Sequence, residues 1–398
     1  MPKSFFYPLL EDPYRKKDLS RAIEVIKTGK LTIGKHTKNF EDKFTKTIKT
    51  KYSLMVNSGS SANLLALQCL INPYRKKRLK KGDSVLIPTV CWSTSLWPII
   101  QSGLKPVFVD IDPVTLNIDI KDLIKKINKK TKALMLVHVL GNSTNMEQLM
   151  KIIKKKKNII LIEDTCESLG SRYKNKFLGT FGEFSSFSFY SSHQISSGEG
   201  GMITCRSPED YEILKALRAH GWSRGLKNEK KISNKNKHLD SRFIFFNSGF
   251  NLRPTDISAS IGLSQFNDMK SFISLRNKNR NFIVNSLKKS KIINDNFYFI
   301  EANKNVKPSW FGIPIYTKYK KNRKKIIKNL EKRGIETRPI ISGNFIKQPS
   351  VKKYKLLKGL KFYNSDIVND HGFFIGLPTK KINNILVNKI VKTFEQSI

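Results

Sequence analysis

The sequence has little cysteine and no long apolar stretch. Its four cysteines, Cys69, Cys91, Cys166 and Cys205, stand far apart, and no two of them have the spacing of metal ligands. We therefore expect reduced thiols in a cytoplasmic protein without a metal site. No run approaches the ~18 apolar residues of a membrane span, and the first residues form no signal-peptide core, so we expect no membrane association.

Acidic residues are also scarce: Asp and Glu number 31 against 74 Lys and Arg, a formal net charge of +43. Such an excess usually indicates a nucleic-acid or anionic-membrane partner. Here lysine dominates, and the basic residues are spread along the whole chain in short runs such as 154–157. We interpret them as solvated faces and expect no nucleic-acid partner, although the field would help attract a nucleotide diphosphate.

The chain of 398 residues, 39% hydrophobic, is long enough for a large domain and a smaller one. Strand-like apolar runs alternate with helical patterns, which favours an α/β fold with a largely parallel sheet. From about residue 265 the pattern changes to a helix followed by short strands and helices. We predict a large domain over 1–264 and a small α/β domain over 265–398. The early strand-like runs are 52–56, 84–88, 105–110 and 133–138.

The segment 184–203 is the most distinctive in the sequence. It alternates aromatic and small polar residues, continues with His193 among serines, and ends in paired glycines before a new apolar run. This pattern predicts strand, loop and strand, and α/β proteins place their chemistry in loops at strand ends. With an unperturbed pKa of about 6.5, the imidazole of His193 could exchange protons near neutrality.

Two other predicted strands also end in polar residues. The turn at 57–61 precedes a helix, so its backbone N–H groups, with Gly59 and Ser60, suit a phosphate, although serine there is often only a helix cap. The apolar run 159–162 leads into Asp164, and an acid at the end of a buried strand is costly without a partner. A helix N-cap is the alternative role for Asp164.

Together these segments resemble the DegT/DnrJ/StrS family of pyridoxal-phosphate (PLP) sugar enzymes, in which a Phe- and Ser-rich strand leads into a lysine and then Glu-Gly-Gly. The resemblance covers nearly the whole chain. It implies the aspartate-aminotransferase-like (type I) PLP fold, a mixed, mostly parallel sheet flanked by helices, with a smaller C-terminal α/β domain. His193 takes the lysine position, which resembles the branch of 3-dehydratases acting on nucleotide-linked 4-keto-6-deoxy sugars.

The resemblance implies a role for each matching residue. Imidazole cannot form a Schiff base, so His193 would act as general base beside a non-covalent cofactor. Asp164 would face the pyridine nitrogen and Trp92 one face of the ring, with Glu167 near the reactive end. Asn251 would reach the cofactor phosphate of the neighbouring subunit, which implies a homodimer with shared active sites. The other implied contacts are Gly59, Ser60 and Ser188 with the cofactor, and His220, Arg224, Trp310 and Asn344 with the substrate.

The implied reaction begins with L-glutamate, which converts PLP to pyridoxamine phosphate (PMP). His193 then removes a proton from the cofactor methylene, the C3 hydroxyl leaves the sugar, and hydrolysis releases a 3-deoxy-4-keto sugar and ammonia. Motifs around the predicted substrate residues favour GDP-4-keto-6-deoxymannose, within deoxysugar and lipopolysaccharide O-antigen biosynthesis. The sequence departs from the family pattern at Gln194, where a second histidine is usual, and at 197–198 before the glutamate.

Three alternatives remain. CDP-4-keto-6-deoxyglucose 3-dehydratases also carry the histidine, but they hold an iron–sulfur cluster through cysteines after the catalytic segment, and none follows Cys205. An ordinary sugar aminotransferase would need another lysine, and Lys174 and Lys176 lie in a predicted turn. A non-catalytic PLP-binding regulator would not need to keep Asp164 and Glu167, and turnover of a 4-keto sugar distinguishes it.

Overall fold

The computed structural model describes residues 5–10, 12–156, 159–356 and 360–398. Its strands are β1 (Tyr52–Val56), β2 (Ser84–Pro88), β3 (Lys105–Val109), β4 (Ile111–Asp112), β5 (Asn117–Ile118), β6 (Thr131–Val137), β7 (Ile160–Asp164), β8 (Arg172–Tyr173), β9 (Lys176–Phe177), β10 (Phe184–Ser188), β11 (Gly201–Cys205), β12 (Phe297–Phe299), β13 (Val306–Lys307), β14 (Ile313–Thr317), β15 (Thr337–Arg338) and β16 (Gly372–Ile375).

The helices are α1 (Lys16–Lys27), α2 (Lys35–Ile48), α3 (Gly59–Leu70), α4 (Ser93–Gln101), α5 (Ile120–Lys126), α6 (Met146–Lys155), α7 (Pro208–Arg218), α8 (Glu229–Lys235), α9 (Asp256–Asn267), α10 (Met269–Leu287), α11 (Lys291–Asn296), α12 (Lys320–Lys332), α13 (Pro349–Lys353), α14 (Tyr363–His371) and α15 (Asn384–Glu395). Short 3₁₀ turns occur at Val139–Gly141, Ser241–Phe243 and Phe345–Lys347. Within the described ranges, no helix combines the length and the apolar character needed to cross a membrane.

A seven-stranded sheet in the order β1-β11-β10-β7-β6-β2-β3 forms the centre of the molecule. Strands β10, β7, β6, β2 and β3 run parallel, and β11 lies antiparallel between β1 and β10. This arrangement confirms the predicted mixed, mostly parallel sheet. Successive side chains of a strand point to opposite faces, so Phe184 packs in the cluster with α3 and α4, whereas Phe187 packs against α2 and α9.

Apolar residues at helical spacing predict two N-terminal helices, and the structure confirms the apolar stripe of only one of them. The predicted stripes are Leu19, Ile23 and Ile26 on the first helix and Phe40, Phe44 and Ile48 on the second. The stripe of α2 is confirmed, because Phe40, Phe44 and Ile48 are all buried. Helix α1 forms as predicted, but its stripe faces outward: Leu19, Ile23 and Ile26 are 45%, 52% and 54% exposed. The buried face of α1 instead carries a short side chain, Ala22, with Val25 and the hydrogen-bonded Asp18.

The C-terminal part of the chain forms a second sheet, antiparallel throughout, in the order β12-β14-β16-β15. Helices α10, α12 and α15 contribute to its core. The N-terminal Tyr7 also packs in this core and pairs with Ile335, so the two ends of the chain share it. The predicted division at 264/265 falls inside α9. The sequence pattern predicts one helix across 266–286, but the structure divides this range between α9 and α10 at Asp268. The two ranges 1–264 and 265–398 stay a prediction.

Candidate active site

A cavity of about 620 Å³ opens at the carboxyl ends of the parallel strands. These ends meet at one edge of the sheet, where α/β proteins bind their ligands. Strands β6, β7 and β10 contribute Val137, Asp164 and Ser188 to its wall. The C-terminal sheet and its loops close the other side of the cavity, which therefore lies between the two parts of the molecule. The C-terminal residues that line it are Phe311, Arg338, Pro339, Ile341 and Phe374.

His193 lies in the loop between β10 and β11 and lines this cavity. Its Nδ1 is 2.6 Å from the carbonyl oxygen of Cys166. Because a carbonyl can only accept, Nδ1 carries the hydrogen and Nε2 keeps its lone pair. Burial lowers the pKa of His193 to about 4, against the hydrogen bond to Cys166 and the charge of Asp164, which raise it. The ring is therefore neutral at physiological pH and able to accept a proton.

Asp164 ends β7 as a buried carboxylate held on both oxygens. Its Oδ2 accepts hydrogen bonds from Asn63 Nδ2 at 2.8 Å and Ser95 Oγ at 2.7 Å. Its Oδ1 accepts from the Cys166 N–H at 3.2 Å. A fixed, buried carboxylate on the cavity wall suits a protonated ring nitrogen, as the resemblance implied for this position.

Glu167 lines the same cavity three residues beyond Asp164. Burial raises its pKa to about 7, and the neighbouring charge of Asp164 acts in the same direction. Its Oε2 accepts one hydrogen bond from the Leu140 N–H at 2.9 Å, which opposes the shift. Glu167 therefore titrates in the neutral range, where a carboxyl can both give and take a proton.

The N-terminus of α3 faces the cavity through Gly59 and Ser60. The helix is capped by Ser58, whose Oγ accepts from the Ser61 N–H at 3.1 Å, so Ser60 is free of that task. The Ser60 hydroxyl is 2.8 Å from that of Thr94. A Cβ on Gly59 would lie 2.7 Å from the Cβ of Ser188, so the close approach requires glycine. Backbone N–H groups, hydroxyls and the helix dipole together suit a phosphate.

Trp92 stands at the N-cap of α4 and lines the cavity, with its side chain 57% exposed. A large aromatic side chain in the core would have been the ordinary outcome for an apolar position near a strand end. Its exposure at a cavity mouth leaves one ring face available for stacking on another ring. Trp92 thus lines the cavity in which the resemblance implies a cofactor, and its stacking role stays a prediction.

The predicted residues of the segment 220–251 do not line the cavity of the chain that carries them. His220 has a left-handed backbone with φ of 60°, and its ring lies 4.8 Å from that of Trp222. Arg224 and Asn251 are exposed. The Asn251 Oδ1 accepts from Arg253 Nε at 3.0 Å. Their roles remain predictions.

The other two predicted substrate residues are buried beside the cavity rather than in it. Trp310 lies in the core of the C-terminal part, with the Arg280 guanidinium 4.9 Å from its ring centre. Asn344 donates from Nδ2 to Asp366 at 2.9 Å. Phe311, which follows Trp310, and Ile341, three residues before Asn344, do line the cavity. Substrate contact by Trp310 and Asn344 also remains a prediction.

Sequence reasoning did not identify Asn63 and Ser95, which hydrogen-bond Asp164. It also did not identify Phe311 as a residue that lines the cavity. Asn63 gave a usable signal, because it is a polar residue inside the apolar run of α3 and faces the sheet.

The structure explains the departure from the family pattern at Gln194. Its Nε2 donates to the carbonyl oxygens of Glu167 at 2.5 Å and Ser309 at 3.1 Å, which ties the catalytic loop to the C-terminal part.

No lysine is among the cavity-lining residues within the described ranges. Lys174 and Lys176 lie at the β8–β9 hairpin, which confirms the predicted turn. Lys174 Nζ pairs with Glu147 at 2.8 Å, and Lys176 Nζ lies 4.3 Å from the ring centre of Phe181. Neither is available as a Schiff-base lysine, so the ordinary aminotransferase alternative has no candidate residue here.

The fold and the site define an enzyme of the PLP-dependent aminotransferase-like class. The model of the DegT/DnrJ/EryC1/StrS aminotransferase family matches residues 13–394, and the chain belongs to this family. It is 38% identical over 375 residues to GDP-4-keto-6-deoxy-D-mannose 3-dehydratase of Escherichia coli O55:H7, covering 93% of this chain and 95% of the relative.

Solved structures agree with this relationship. The E. coli GDP-4-keto-6-deoxy-D-mannose-3-dehydratase with bound hydrated PLP superposes with a TM-score of 0.90 at 36% identity, covering 98% of this chain and 100% of that one. A GDP-4-keto-6-deoxymannose-3-dehydratase with a trapped PLP-glutamate geminal diamine gives a TM-score of 0.89 at 36% identity, with the same coverage. The expected fold and family are thereby confirmed.

Proposed function

We propose that this protein is a PLP-dependent 3-dehydratase of GDP-4-keto-6-deoxymannose that uses L-glutamate to form PMP and releases ammonia. The observation that carries the proposal is His193 at the position where aminotransferases of the family hold lysine, in a cavity without a lysine among its described residues. Its Nδ1 hydrogen is committed to the Cys166 carbonyl, which leaves Nε2 as a base.

The large domain supplies the residues that would hold the cofactor. Gly59 and Ser60 at the start of α3 would bind the phosphate, and the carboxylate of Asp164 would keep the ring nitrogen protonated. Trp92 would cover one ring face, and the Ser188 hydroxyl borders the same space. Bound PLP supplies an electron sink for the carbon next to the departing group. Because none of the cavity-lining residues in the described ranges is a lysine, we expect non-covalent binding, release on dialysis and no trapping by borohydride.

Two groups of the chain would move protons. Neutral His193 would take a proton at Nε2, since its Nδ1 already donates to a carbonyl. Glu167, with a pKa of about 7, would hold or release a proton close to the same centre. Water must still enter for the final hydrolysis, and the exposed side of the cavity next to Trp92 gives it a path.

The nucleotide preference rests on the resemblance to the two GDP-sugar relatives and on charge. Arg338 lines the cavity, and the net charge of +43 favours an anionic nucleotide diphosphate. The four thiols are free and none lies beyond Cys205, which supports chemistry without an iron–sulfur cluster and a cytoplasmic location.

The test is turnover of GDP-4-keto-6-deoxymannose by purified protein with PLP and glutamate, in the absence of oxygen and of any electron donor. We expect a 3-deoxy-4-keto product, with glutamate consumed and ammonia released in equal amounts. CDP-4-keto-6-deoxyglucose serves as the comparison substrate. A strict requirement for an electron donor, nitrogen from glutamate in the sugar, or no turnover of any 4-keto sugar would each contradict the proposal.

We further propose that the enzyme is a homodimer with shared active sites. Asn251 and Arg224 are exposed and lie outside the cavity of their own chain, and the apolar face of α1 is uncovered. A second copy of the chain would account for both features. Light scattering combined with an activity assay tests this, and a fully active monomer would refute it.

A further inference from the structure

Arg276 on α10 is a buried arginine without an acidic partner among the described residues. It is 5% exposed, and it takes part in no ion pair there. Its Nε donates to the Trp310 carbonyl at 3.0 Å and its Nη2 to the Phe311 carbonyl at 2.5 Å. Burial lowers its pKa to about 10. A buried charge that is not paired is costly, and therefore needs an explanation.

The guanidinium lies behind the catalytic loop. A small cavity of about 30 Å³ is lined by Arg276 together with Ser192, His193 and Gln194. His193 also lines the large cavity, so the loop separates the substrate space from the buried cation. The small cavity has room for about one water molecule and for no organic ligand. Arg276 therefore acts on the site through the protein.

The geometric link runs through Phe311. The ring of Phe311 packs edge-to-face on the imidazole of His193, with ring centres 5.1 Å apart and planes at 69°. Arg276 holds the carbonyl oxygens of Phe311 and of the residue before it. Loss of this planar fork would release the backbone that carries the ring, and with it one wall of the catalytic cavity.

The charges facing His193 have opposing effects. Burial and Arg276 lower the pKa of His193, whereas the Cys166 carbonyl and Asp164 raise it. Tyr190 packs against the imidazole at 6.3 Å between ring centres, and Glu167 and Glu199 line the same cavity. Arg338 also lines the large cavity, and Arg276 is the positive charge that lowers the pKa of His193 beside the larger effect of burial. Without Arg276, the nearby carboxylates would raise the pKa of the imidazole, while burial still favours the neutral ring.

We propose that Arg276 is a positioning residue for proton transfer, which fixes Phe311 against His193 and opposes a positive charge on the imidazole. The inference depends on the proposed function only in that His193 is taken as the base. An uncharged imidazole with a fixed orientation is the state that a general base requires before it can accept a proton.

The experiment measures the protonation of His193 by NMR in histidine-labelled protein without substrate, with the resonance assigned by its absence in His193→Asn. In the wild type we expect His193 to stay neutral through pH 6. Arg276→Met removes the charge and should raise the midpoint by about one pH unit, moving the acid limb of kcat in the same direction. Arg276→Lys keeps the charge but not the planar guanidinium that makes two hydrogen bonds. The titration midpoint of His193 should therefore stay unchanged, while kcat falls roughly tenfold.

Arg280→Met is the matched control. Arg280 lies one turn after Arg276 on α10, is also buried, and also contacts Trp310. Unlike Arg276, it forms an ion pair, with Glu301 at 2.6 Å, and does not face the loop that carries His193. We expect no change in the midpoint of His193. A wild-type His193 that protonates at or above its ordinary value would overturn the proposal, even if Arg276→Met fails to fold. So would an equal shift in the control, or an unchanged midpoint and kcat in folded Arg276→Met. These readings are independent of which sugar is turned over.

Discussion

Two regions carry most of the predicted site residues, the strand ends of the large sheet and the segment 220–251. Only the first region places its residues in a cavity of the same chain. The strand ends of the large sheet place Asp164, His193 and the start of α3 around one cavity, each with its hydrogen-bond partners in place. The segment 220–251 carries three other predicted site residues, and none of them reaches that cavity. The topology of the sheet brings the residues of the first region together. The second region, the segment 220–251, lies outside the cavity, and we call it the rim.

The proposed homodimer predicts this difference, since it assigns the rim residues to the neighbouring subunit's cavity. Phe243 and Phe245 are exposed within the same segment, at 58% and 59%. Apolar side chains in contiguous exposed positions are typical of surfaces that another protein covers. The rim of one subunit would then complete the cavity of its partner, as proposed above for Asn251.

The largest expected effect is the loss of dehydration activity on substitution of His193, at the strand ends of the large sheet. His193→Asn should retain cofactor binding, because phosphate and ring contacts come from other residues, but lose about 10²–10⁴-fold in dehydration rate, as expected for loss of a general base. Steady-state kinetics with substrate and a spectroscopic titration with PLP measure the two quantities. His36→Asn, at a half-buried histidine of α2 outside the cavity, is the control and should match the wild type. Retained turnover in His193→Asn would assign the base to another residue.

A mixture of two inactive variants tests whether the rim belongs to the neighbouring site. If Asn251 serves the partner's cofactor, hybrids of His193→Asn and Asn251→Ala contain one cavity with both native residues. Random reassembly should then recover roughly a quarter of the wild-type activity, since about half of the dimers are hybrids with one intact site. Activity is followed after joint unfolding and refolding of the two proteins. No recovery, with hybrids verified by mass, would place Asn251 in its own subunit's site, whereas an Asn251→Ala variant that is active by itself would give Asn251 no role in either site.

A smaller effect is expected for the carboxylate. Asp164→Asn removes the charge but keeps the size, so PLP affinity should fall roughly 10–100-fold, the equivalent of losing a charged hydrogen bond of about 1.5–3 kcal/mol. Equilibrium binding of PLP to the cofactor-free protein measures it. Asp240→Asn, in an exposed pair with Arg242, controls for the loss of a surface charge. Unchanged affinity would mean that Asp164 does not meet the ring nitrogen.

The smallest effect concerns stability. Glu167 has a folded pKa of about 7, raised by burial and by Asp164, above its unfolded value near 4.5. Its proton is bound more tightly in the folded state, so its contribution is present below about pH 4.5 and is lost as pH rises towards 7. Glu167→Gln should therefore be more stable than the wild type at pH 8, by up to about 3 kcal/mol, and similar at pH 4.5. Chemical denaturation at the two pH values measures this, and an equal difference at both would contradict the assigned shift.

Much of the site could be predicted from the sequence because strand ends are visible in it. The apolar run before Asp164 predicted a buried strand, and β7 is buried over Leu161–Asp164. The resemblance implied that Gly59, Asp164 and Ser188 contact one cofactor, and all three line the same cavity at the carboxyl ends of strands. His193 followed from its place in the pattern, and the resemblance then gave it a role.

The predicted stripe of α1 shows where sequence pattern was insufficient. Leu19, Ile23 and Ile26 have helical spacing, but periodicity identifies an apolar face without specifying what covers it. Asp18 is buried instead, because Arg15 and Ser264 satisfy its carboxylate. Similarly, Trp310 and Asn344 matched motifs, yet whether their side chains enter the cavity depends on the packing of the C-terminal part.

By itself, the sequence determined the α/β class, the polar strand ends and the histidine in place of lysine, since each depends on residue type and local period. Only the tertiary structure decided that the Cys166 carbonyl fixes the tautomer of His193, that Asn63 and Ser95 hold Asp164, and that Arg276 lies behind the catalytic loop. The hydrogen bonds among them join residues from 27 to 101 positions apart in the sequence. Such pairings depend on how helices and sheets pack, which no local pattern encodes.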